Sequence, residues 1–222
     1  MRYLLTHLDA AWALTVIHLR LSLIPVVLGL LIAVPLGALI QRTTTLRRMT
    51  TITASIIFTI PSLALFVVLP LMIPTRILDE TNVIVALTLY TTALLVRAVP
   101  EALDAVPEPV RDAATAVGYK PLIRMVKVEL PLSIPVLIAG LRVVAVTNIS
   151  MVSVGSVIGI GGLGTWFTEG YQSDKSDQII AGIIAIFVLA IVIDTLIMFA
   201  GRLLTPWTRV SGVSRPKVKA AA

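Results

Sequence analysis

The sequence contains no cysteine, few charged residues and few aromatic residues. Without cysteine, the chain has no disulfide framework, no thiolate metal site and no cysteine nucleophile. Charged residues make up 14% of the chain and aromatic residues 5%, whereas a soluble domain carries roughly 25% charged residues. These deficits exclude an ordinary water-soluble enzyme, a disordered chain and a small secreted disulfide scaffold.

Apolar residues fill 57% of the 222 positions, and the mean hydropathy is +0.98. A helix needs about 20 apolar residues to cross about 30 Å of hydrocarbon. Runs close to that length predict an all-α, polytopic membrane protein with five transmembrane helices at residues 21–40, 51–73, 83–99, 130–157 and 179–201. The predicted organisation is an external lead-in at 1–20, a membrane domain at 21–201 and a cytoplasmic tail at 202–222.

Basic residues are distributed unevenly between the predicted loops. Thirteen of the 18 lie on segments that five spans place on one side of the membrane. These are Arg42, Arg47 and Arg48, then Arg97, Arg111, Lys120, Arg124 and Lys127, then Arg202, Arg209, Arg215, Lys217 and Lys219. Because cytoplasmic loops of membrane proteins are enriched in lysine and arginine, the prediction is an outer N-terminus and a cytoplasmic C-terminus. The net charge of +6 therefore indicates loops against a bilayer and no nucleic-acid partner.

The predicted cytoplasmic segment 100–130 is too polar for lipid and too long for a simple connector. Pro109 suits the first position of a helix, and Gly118 suits its C-terminal stop. A small apolar stripe at spacings i, i+3, i+4 and i+7 predicts a short amphipathic helix, with Val110, Ala113, Ala114 and Val117 on one face. Lys120 and Pro121 then predict a second short helix that continues to Pro131.

Two interpretations of this helix stay open from the residues alone. Its face lacks the Trp, Phe and Leu of a membrane-surface anchor, so docking into a groove of a partner is favoured. The alternative is an ordinary loop packed on the underside of the same helix bundle.

The spacing of this segment resembles the signature loop of ABC importer permeases. That pattern reads Glu-Ala-Ala, three residues, Gly, nine residues, a hydrophobic residue, any residue and Leu-Pro. Here the corresponding positions are Asp112-Ala113-Ala114, Gly118, Val128 and Leu130-Pro131. Asp112 is the one departure, because it keeps the charge of glutamate but has a shorter side chain.

The resemblance implies a transport subunit that binds no cofactor and hydrolyses no ATP itself. A separate dimeric ATPase would hold the helix in a cleft, a second permease copy or paralogue would complete the pathway, and a solute-binding protein would deliver from outside. The chain would lie in a bacterial or archaeal cell membrane. The implied coupling residues are Arg111, Asp112, Ala113, Ala114, Val117, Gly118, Leu130 and Pro131. Gly159–Gly164 formally fits Gly-x-Gly-x-x-Gly, but it lies in no βαβ unit and is not interpreted as a nucleotide site.

Three other stretches resemble the five-span osmoprotectant permeases, which import glycine betaine, choline or carnitine. They are 32–37 (IAVPLG), 60–65 (IPSLAL) and 158–164 (IGIGGLG). Methionine permeases carry a similar Gly-Gly-Leu-Gly, so a methionine or other amino-acid importer is the alternative.

Several residues are candidates for the pathway or its gate. Arg142 and Asp194 fall at similar depth in neighbouring predicted spans, where a lone charge is costly. They either pair within the bundle, or Arg142 caps backbone carbonyls or contacts the solute. Gly161, Gly162 and Gly164 form either a lip of the outer gate, a docking surface, or a flexible interfacial turn. His7 and His18 are too few and too peripheral for a metal site, and no metal is predicted.

The sequence fits two other classes of membrane protein less well. An intramembrane enzyme needs a catalytic constellation such as His-Glu-x-x-His or Gly-x-Ser-x-Gly, and the sequence has neither. A channel or secondary transporter does not need a cytoplasmic docking helix, and no inverted repeat is evident.

Overall fold

The computed structural model describes residues 2–41 and 43–208, and over these residues the chain consists of helices and the turns that join them. The helices are α1 (Arg2–Thr6), α2 (Leu8–Ile40), α3 (Thr44–Thr59), α4 (Ser62–Met72), α5 (Glu80–Asp104), α6 (Glu108–Ala116), α7 (Pro121–Arg124), α8 (Leu130–Gly155), α9 (Thr165–Gln172) and α10 (Ser176–Leu204). A π-helical turn, Met125–Glu129, joins α7 to α8, and a 3₁₀ turn, Ser156–Ile158, follows α8.

Within the described residues, four helical rods are long and apolar enough to cross a membrane. They are Leu8–Ile40, Glu80–Asp104, Pro121–Ile158 and Ser176–Leu204. The pair α3 and α4 supplies a fifth crossing if it is counted as one broken span. This count agrees with the five predicted spans and confirms the all-α membrane fold.

The second predicted span is not one straight helix. α3 and α4 meet at an angle of 99°. Ile60 and Pro61 both have extended backbone, with ψ of 127° and 130°. Proline lacks an N–H and disfavours helical geometry in the residue before it, so the helix stops at Thr59 and restarts at Ser62. The Tyr90 hydroxyl donates a hydrogen bond of 2.6 Å to the Ile60 carbonyl at this break.

The first membrane helix begins earlier than the sequence patterns predicted. α2 starts at Leu8 and runs without interruption for 33 residues, so most of the predicted lead-in 1–20 is continuous with the first span. Asp9 and Arg20 do not end the helix because neither removes a backbone hydrogen bond, and Arg20 pairs with Glu80. At the other end of the chain α10 continues to Leu204, past Arg202, and residues 209–222 of the predicted tail lie outside the described residues.

Polar contacts mark two opposite ends of the bundle. At one end, Asp104 accepts hydrogen bonds from Gln41 Nε2 at 3.1 Å and from Arg47 Nη1 at 2.6 Å. These contacts bring together the end of α2, the start of α3 and the end of α5, and α6 follows directly. At the other end, Arg20 pairs with Glu80 at the start of α5. We call these ends the coupling end and the far end.

At the far end, α5 begins with a side-chain cap. The Asp79 carboxylate accepts the backbone N–H of Thr81 at 2.9 Å, which satisfies a donor that the first turn leaves free. Hydrogen bonding by Thr81, mainly through its side chain and to a smaller extent through its backbone N–H, holds the pKa of Asp79 below its usual range.

The core of the bundle is a close contact between α2 and α5. On α2, Gly29, Ala33 and Gly37 recur every four residues, and all three are buried. Gly29 lies against Thr91, and Gly37 lies against Val99 of α5. Lipid supplies little hydrophobic drive between helices, so small residues stabilise such contacts by letting the two backbones approach. We call this contact the α2–α5 seam. α8 packs against both helices, and α10 packs against α8 and α9.

We predict that Gly29→Ala destabilises the protein by about 1–3 kcal/mol, because an overpacked core must shift to admit the methyl group. A Cβ at Gly29 would overlap the Thr91 side chain and lie 3.2 Å from the Thr92 nitrogen. The measurement is the Tm of the detergent-solubilised protein. Gly140→Ala is the matched control, since a Cβ there has only Ala98 Cβ nearby, at 3.4 Å. Equal Tm values for the two variants would contradict the close seam.

Candidate functional site

The predicted cytoplasmic helix is present as α6, Glu108–Ala116. Pro107 precedes it, and Pro109 is its second residue rather than its first. Gly118 has φ of +97°, the left-handed conformation that glycine adopts readily. Two backbone hydrogen bonds close the end of the helix, from Gly118 N to Thr115 O at 2.9 Å and from Tyr119 N to Ala114 O at 3.1 Å. This pair of bonds is a Schellman motif, so the predicted stop at Gly118 is confirmed.

The apolar stripe of α6 is divided between two environments. Ala114 is buried against the chain, and Val110 is partly buried. Ala113 and Asp112 are exposed, and Val117 is 79% exposed. One side of α6 therefore packs on the underside of the bundle, as the second sequence interpretation held. The other side presents an acid and two small apolar residues to the surroundings, which a partner groove could cover.

A set of polar contacts connects α6 to the start of α8. Arg124 Nε donates to Glu129 Oε1 at 2.7 Å, and Arg124 Nη1 donates to Thr115 Oγ1 at 2.7 Å. Leu130 and Pro131 are the first two residues of α8, and Leu130 packs on the cluster of Ala38, Val99 and Leu103. Polar contacts and apolar packing thus connect α6 to the first residues of a membrane helix.

Arg142 and Asp194 form the ion pair that the sequence suggested. Arg142 Nε and Nη2 donate to the two oxygens of Asp194 at 2.7 and 2.6 Å, so the guanidinium grips the carboxylate with two parallel bonds. The side chains are 36% and 30% exposed. The pair joins α8 to α10 and leaves part of each group open to the surroundings.

The glycine-rich stretch after α8 is a packed turn at the far end. Gly159 and Gly162 have φ of +81° and +111°, while Ile160 and Leu163 are buried. A Cβ at Gly164 would lie 2.7 Å from Ser156 Oγ and 2.8 Å from the Ser153 carbonyl. Glycine therefore lets this turn pack closely at Gly162 and Gly164, and its role as a gate lip, a docking surface or a flexible turn stays a prediction. Of the polar residues that follow, Glu169 lies within α9.

His18 is the residue that the sequence interpretation placed incorrectly. It lies within α2, is fully buried, and is not peripheral. Its Nδ1 accepts the backbone N–H of Leu163 at 3.2 Å, so the ring proton is on Nε2, which donates to the Ile149 carbonyl at 2.9 Å. One imidazole thus joins α2, α8 and the glycine turn. The only sequence signal was a polar residue within an apolar helical run.

These features define a class of protein. The structure combines membrane-spanning helices, a short helix with one exposed side at one end, and polar contacts that lead from this helix into a span. This combination fits the membrane subunit of a transporter. The chain belongs to the family of inner membrane components of binding-protein-dependent transport systems, whose sequence profile matches residues 12–210.

Individual relatives agree with this assignment. The osmoprotectant import permease protein OsmW of Salmonella typhimurium is 36% identical over 209 residues, covering 92% of this chain and 96% of that protein. The choline transport system permease protein OpuBB of Bacillus subtilis is 35% identical over 189 residues, covering 85% and 86%. These relatives are named permease proteins, and the chain is accordingly a transport subunit and not an enzyme.

A solved structure has the same fold. The inward-facing MetNI methionine ABC transporter contains a chain that is 26% identical, with a TM-score of 0.72. The match covers 86% of this chain and 92% of that chain. The membrane fold is therefore shared by permeases whose names specify different solutes.

We predict that Arg142 and Asp194 act as a brace rather than as a solute site. Arg142→Gln and Asp194→Asn should each lower the Tm, because each leaves one charged partner unpaired in a span. The double variant should regain about half of the fall in Tm seen in the single variants, since the effects of substituting two residues in contact are not additive. It should also transport. The Arg47→Gln, Asp104→Asn cycle at the exposed coupling end is the control. Additive Tm losses, or a transport defect that the double variant does not relieve, would count against the brace.

Proposed function

We propose that the chain is the permease subunit of an ATP-driven importer for osmoprotectants such as glycine betaine, choline or carnitine. The observation that carries the transport mechanism is α6, a capped helix with an exposed docking side at the end of the bundle where Asp104 is held. The solute class is supported by OsmW and OpuBB, whose names specify osmoprotectants and choline and which match most of the chain.

The exposed side of α6 is proposed to sit in a cleft of a separate ATPase subunit. Asp112, Ala113 and Val117 supply the contact, and the small side chains let the partner approach the helix closely. Arg111 and Ala114 face the chain, so they hold the helix to the bundle. When the ATPase dimer closes around ATP, α6 moves, and the contacts that reach Leu130 and Pro131 carry this motion into α8.

The solute pathway is proposed to follow α8 and the glycine turn. Arg142 and Asp194 hold α10 beside α8, and Gly162 and Gly164, which follow Gly161, allow the turn at the far end to pack closely enough to narrow the pathway. A pathway needs a second half, so a second permease copy or a paralogue is a proposed partner. A solute-binding protein would deliver at the far end.

The coupling end is proposed to be cytoplasmic, which sets the N-terminus outside and the C-terminus inside a multi-pass arrangement. Arg47, Arg111 and Arg124 lie at this end, whereas acids such as Asp79 and Glu80 lie at the far end. The positive-inside rule favours this orientation. In this arrangement residues 21–201 form the permease domain, with 100–130 as its coupling segment.

A methionine or other amino-acid importer is the alternative function. The MetNI chain shares the fold at 26% identity, which is lower than the identity to OsmW. Because a separate binding protein selects the solute in this arrangement, the permease offers few residues that could discriminate.

We predict that Gly118→Val lowers ATPase co-purification severalfold, whereas Gly118→Asn largely retains it. A left-handed backbone costs most residues about 1–2 kcal/mol, and Asn tolerates it better. Nothing lies within 4 Å of a Cβ at Gly118, so the two variants differ in backbone preference and not in clashes. The measurement is the amount of ATPase recovered with tagged permease. Equal recovery with both variants would contradict a docking role for this helix end.

The test of the solute is uptake of labelled glycine betaine, choline, carnitine and methionine by cells with and without this chain, at high and low osmolarity. We expect loss of uptake of one or more osmoprotectants and unchanged uptake of methionine. Loss of methionine uptake alone would replace the proposed solute by the alternative and leave the coupling mechanism in place. Unchanged uptake of every probe would contradict the proposed solute class.

A further inference from the structure

The rod that contains α8 changes its helical geometry at one defined place. α7, the π-helical turn and α8 follow one another without a break from Pro121 to Gly155. At the turn, Leu130 N donates to Met125 O, a hydrogen bond that spans five residues instead of the four of an α-helix. Turns of this kind are rare and often occur at functional sites. This one lies between the coupling helix α6 and the membrane-spanning part of α8.

The ion pair between Arg124 and Glu129 depends on this wide turn. Residues five apart in a regular α-helix point about 140° away from each other, because each residue turns the helix by about 100°. The wide turn brings them to the same side, and Arg124 Nε then reaches Glu129 Oε1 at 2.7 Å. The Glu129 side chain is 5% exposed, so this carboxylate has little access to other partners. The turn and the ion pair therefore stabilise each other.

The same guanidinium also holds α6. Arg124 Nη1 donates to Thr115 Oγ1, whose hydroxyl donates to the Arg111 carbonyl at 2.8 Å. Arg124 thus contacts the coupling helix with one nitrogen and the base of α8 with another. A lysine at position 124 would keep the charge but lose the two separate nitrogens that reach Thr115 and Glu129, because its donors are all on one ammonium.

Space is available for the π-helical turn and its Arg124–Glu129 ion pair, which we call the joint, to rearrange. A polar cavity of about 240 Å³ adjoins it, lined by Gln41, Asp104, Arg111, Arg124 and Glu129, among others. Within the described residues, Arg111 Nε is buried there without a hydrogen-bond partner. Asp104 and Glu129, the two acids of this cavity, therefore have Arg111 as a second donor close by when Arg124 moves.

We propose that Arg124 and Glu129 are positioning residues that set the angle between the coupling helix and α8. While the pair is formed, the wide turn is held and movement of α6 passes to α8 as one unit. When the pair opens, the turn can change to α-helical geometry. This change would rotate α7 relative to α8 about the helix axis by about one residue, or about 100°. This inference rests on the proposed function, since it assigns the residues through which ATPase-driven motion reaches the membrane.

The test uses the complete importer, purified through a tag on this chain and reconstituted with its ATPase and binding protein. Arg124→Gln and Glu129→Gln should each lower the uptake per ATP hydrolysed at least about fivefold, the range expected for a lost coupling between two sites. The double variant should be no worse than either single variant, because both remove the same bond. Arg124→Lys should be intermediate. Arg97→Gln removes an arginine hydrogen bond, to Ser55, that lies outside this cavity, and it should transport normally.

A distance measurement supplies a readout that a general loss of stability would not give. Because the chain has no cysteine, spin labels can be attached at Leu122→Cys and Val143→Cys, two exposed positions on either side of the wide turn. The Arg124→Gln change should shift or broaden the distance between these labels. Labels at Val136→Cys and Val143→Cys, which both lie in α8, should keep their distance.

The outcomes separate this inference from the function on which it rests. Normal uptake per ATP in the Arg124 and Glu129 variants, or an unchanged distance between labels at 122 and 143, would overturn the joint. Loss of the ATPase from the variant complexes would also overturn it, because the pair would then act in docking. Absence of the ATPase from the unmodified preparation would instead remove the proposed function, and the joint with it.

Discussion

The close contact of the α2–α5 seam is the constraint on which the rest of the structure depends. In lipid, helices gain little by burying apolar side chains against each other, so their association relies on packing and on interhelical hydrogen bonds. Gly29, Ala33 and Gly37 lie one turn apart on α2 and allow α5 to approach along much of its length. With the two helices fixed, Gln41 meets Asp104 at the coupling end, and Arg20 meets Glu80 at the far end.

Polar groups inside the bundle then specify how α8 joins the seam. Asn148 Nδ2 donates to Thr91 Oγ1 at 2.9 Å and lies 3.3 Å from the Ser22 carbonyl, so one side chain of α8 contacts both α5 and α2. His18 adds a bond from α2 to the Ile149 carbonyl and accepts one from the glycine turn. Asn148 Oδ1 is buried without a partner, but the bonds of Asn148 Nδ2 and His18 would be lost if α8 turned or slid against the seam. Because a lost buried bond is costly, these bonds favour one rotation and one height of α8. Apolar packing alone would permit neighbouring arrangements.

The parts of the structure that could be predicted from the sequence depend on the chemistry of neighbouring residues or on one large free-energy cost. The end of α6 at Gly118 follows from a backbone preference within a few residues, and the pairing of Arg142 with Asp194 follows from the cost of a lone charge in a span. The break at Pro61 is local as well, but a proline inside a span permits either a kink or a full stop. The 99° bend depends on where α4 can pack, and Tyr90 of α5 satisfies the carbonyl at the break. His18 could not be placed because both of its partners are more than 100 residues away in the chain.

The distribution of rigid and adjustable parts has a consequence for transport. Within the membrane, α8 packs against both helices of the seam, is paired with α10 through Arg142 and Asp194, and continues into the packed glycine turn. At the coupling end α8 continues through a π-helical turn whose geometry depends on one ion pair, beside a polar cavity and an unpaired arginine nitrogen. When the ion pair is open, a movement of α6 would bend the π-helical turn instead of moving α8. When the ion pair is formed, the movement would pass to α8. If Arg124 and Glu129 act as proposed, coupling is decided at the entry to the span and not along it, and solute preference and energy coupling can then vary independently in permeases of one fold.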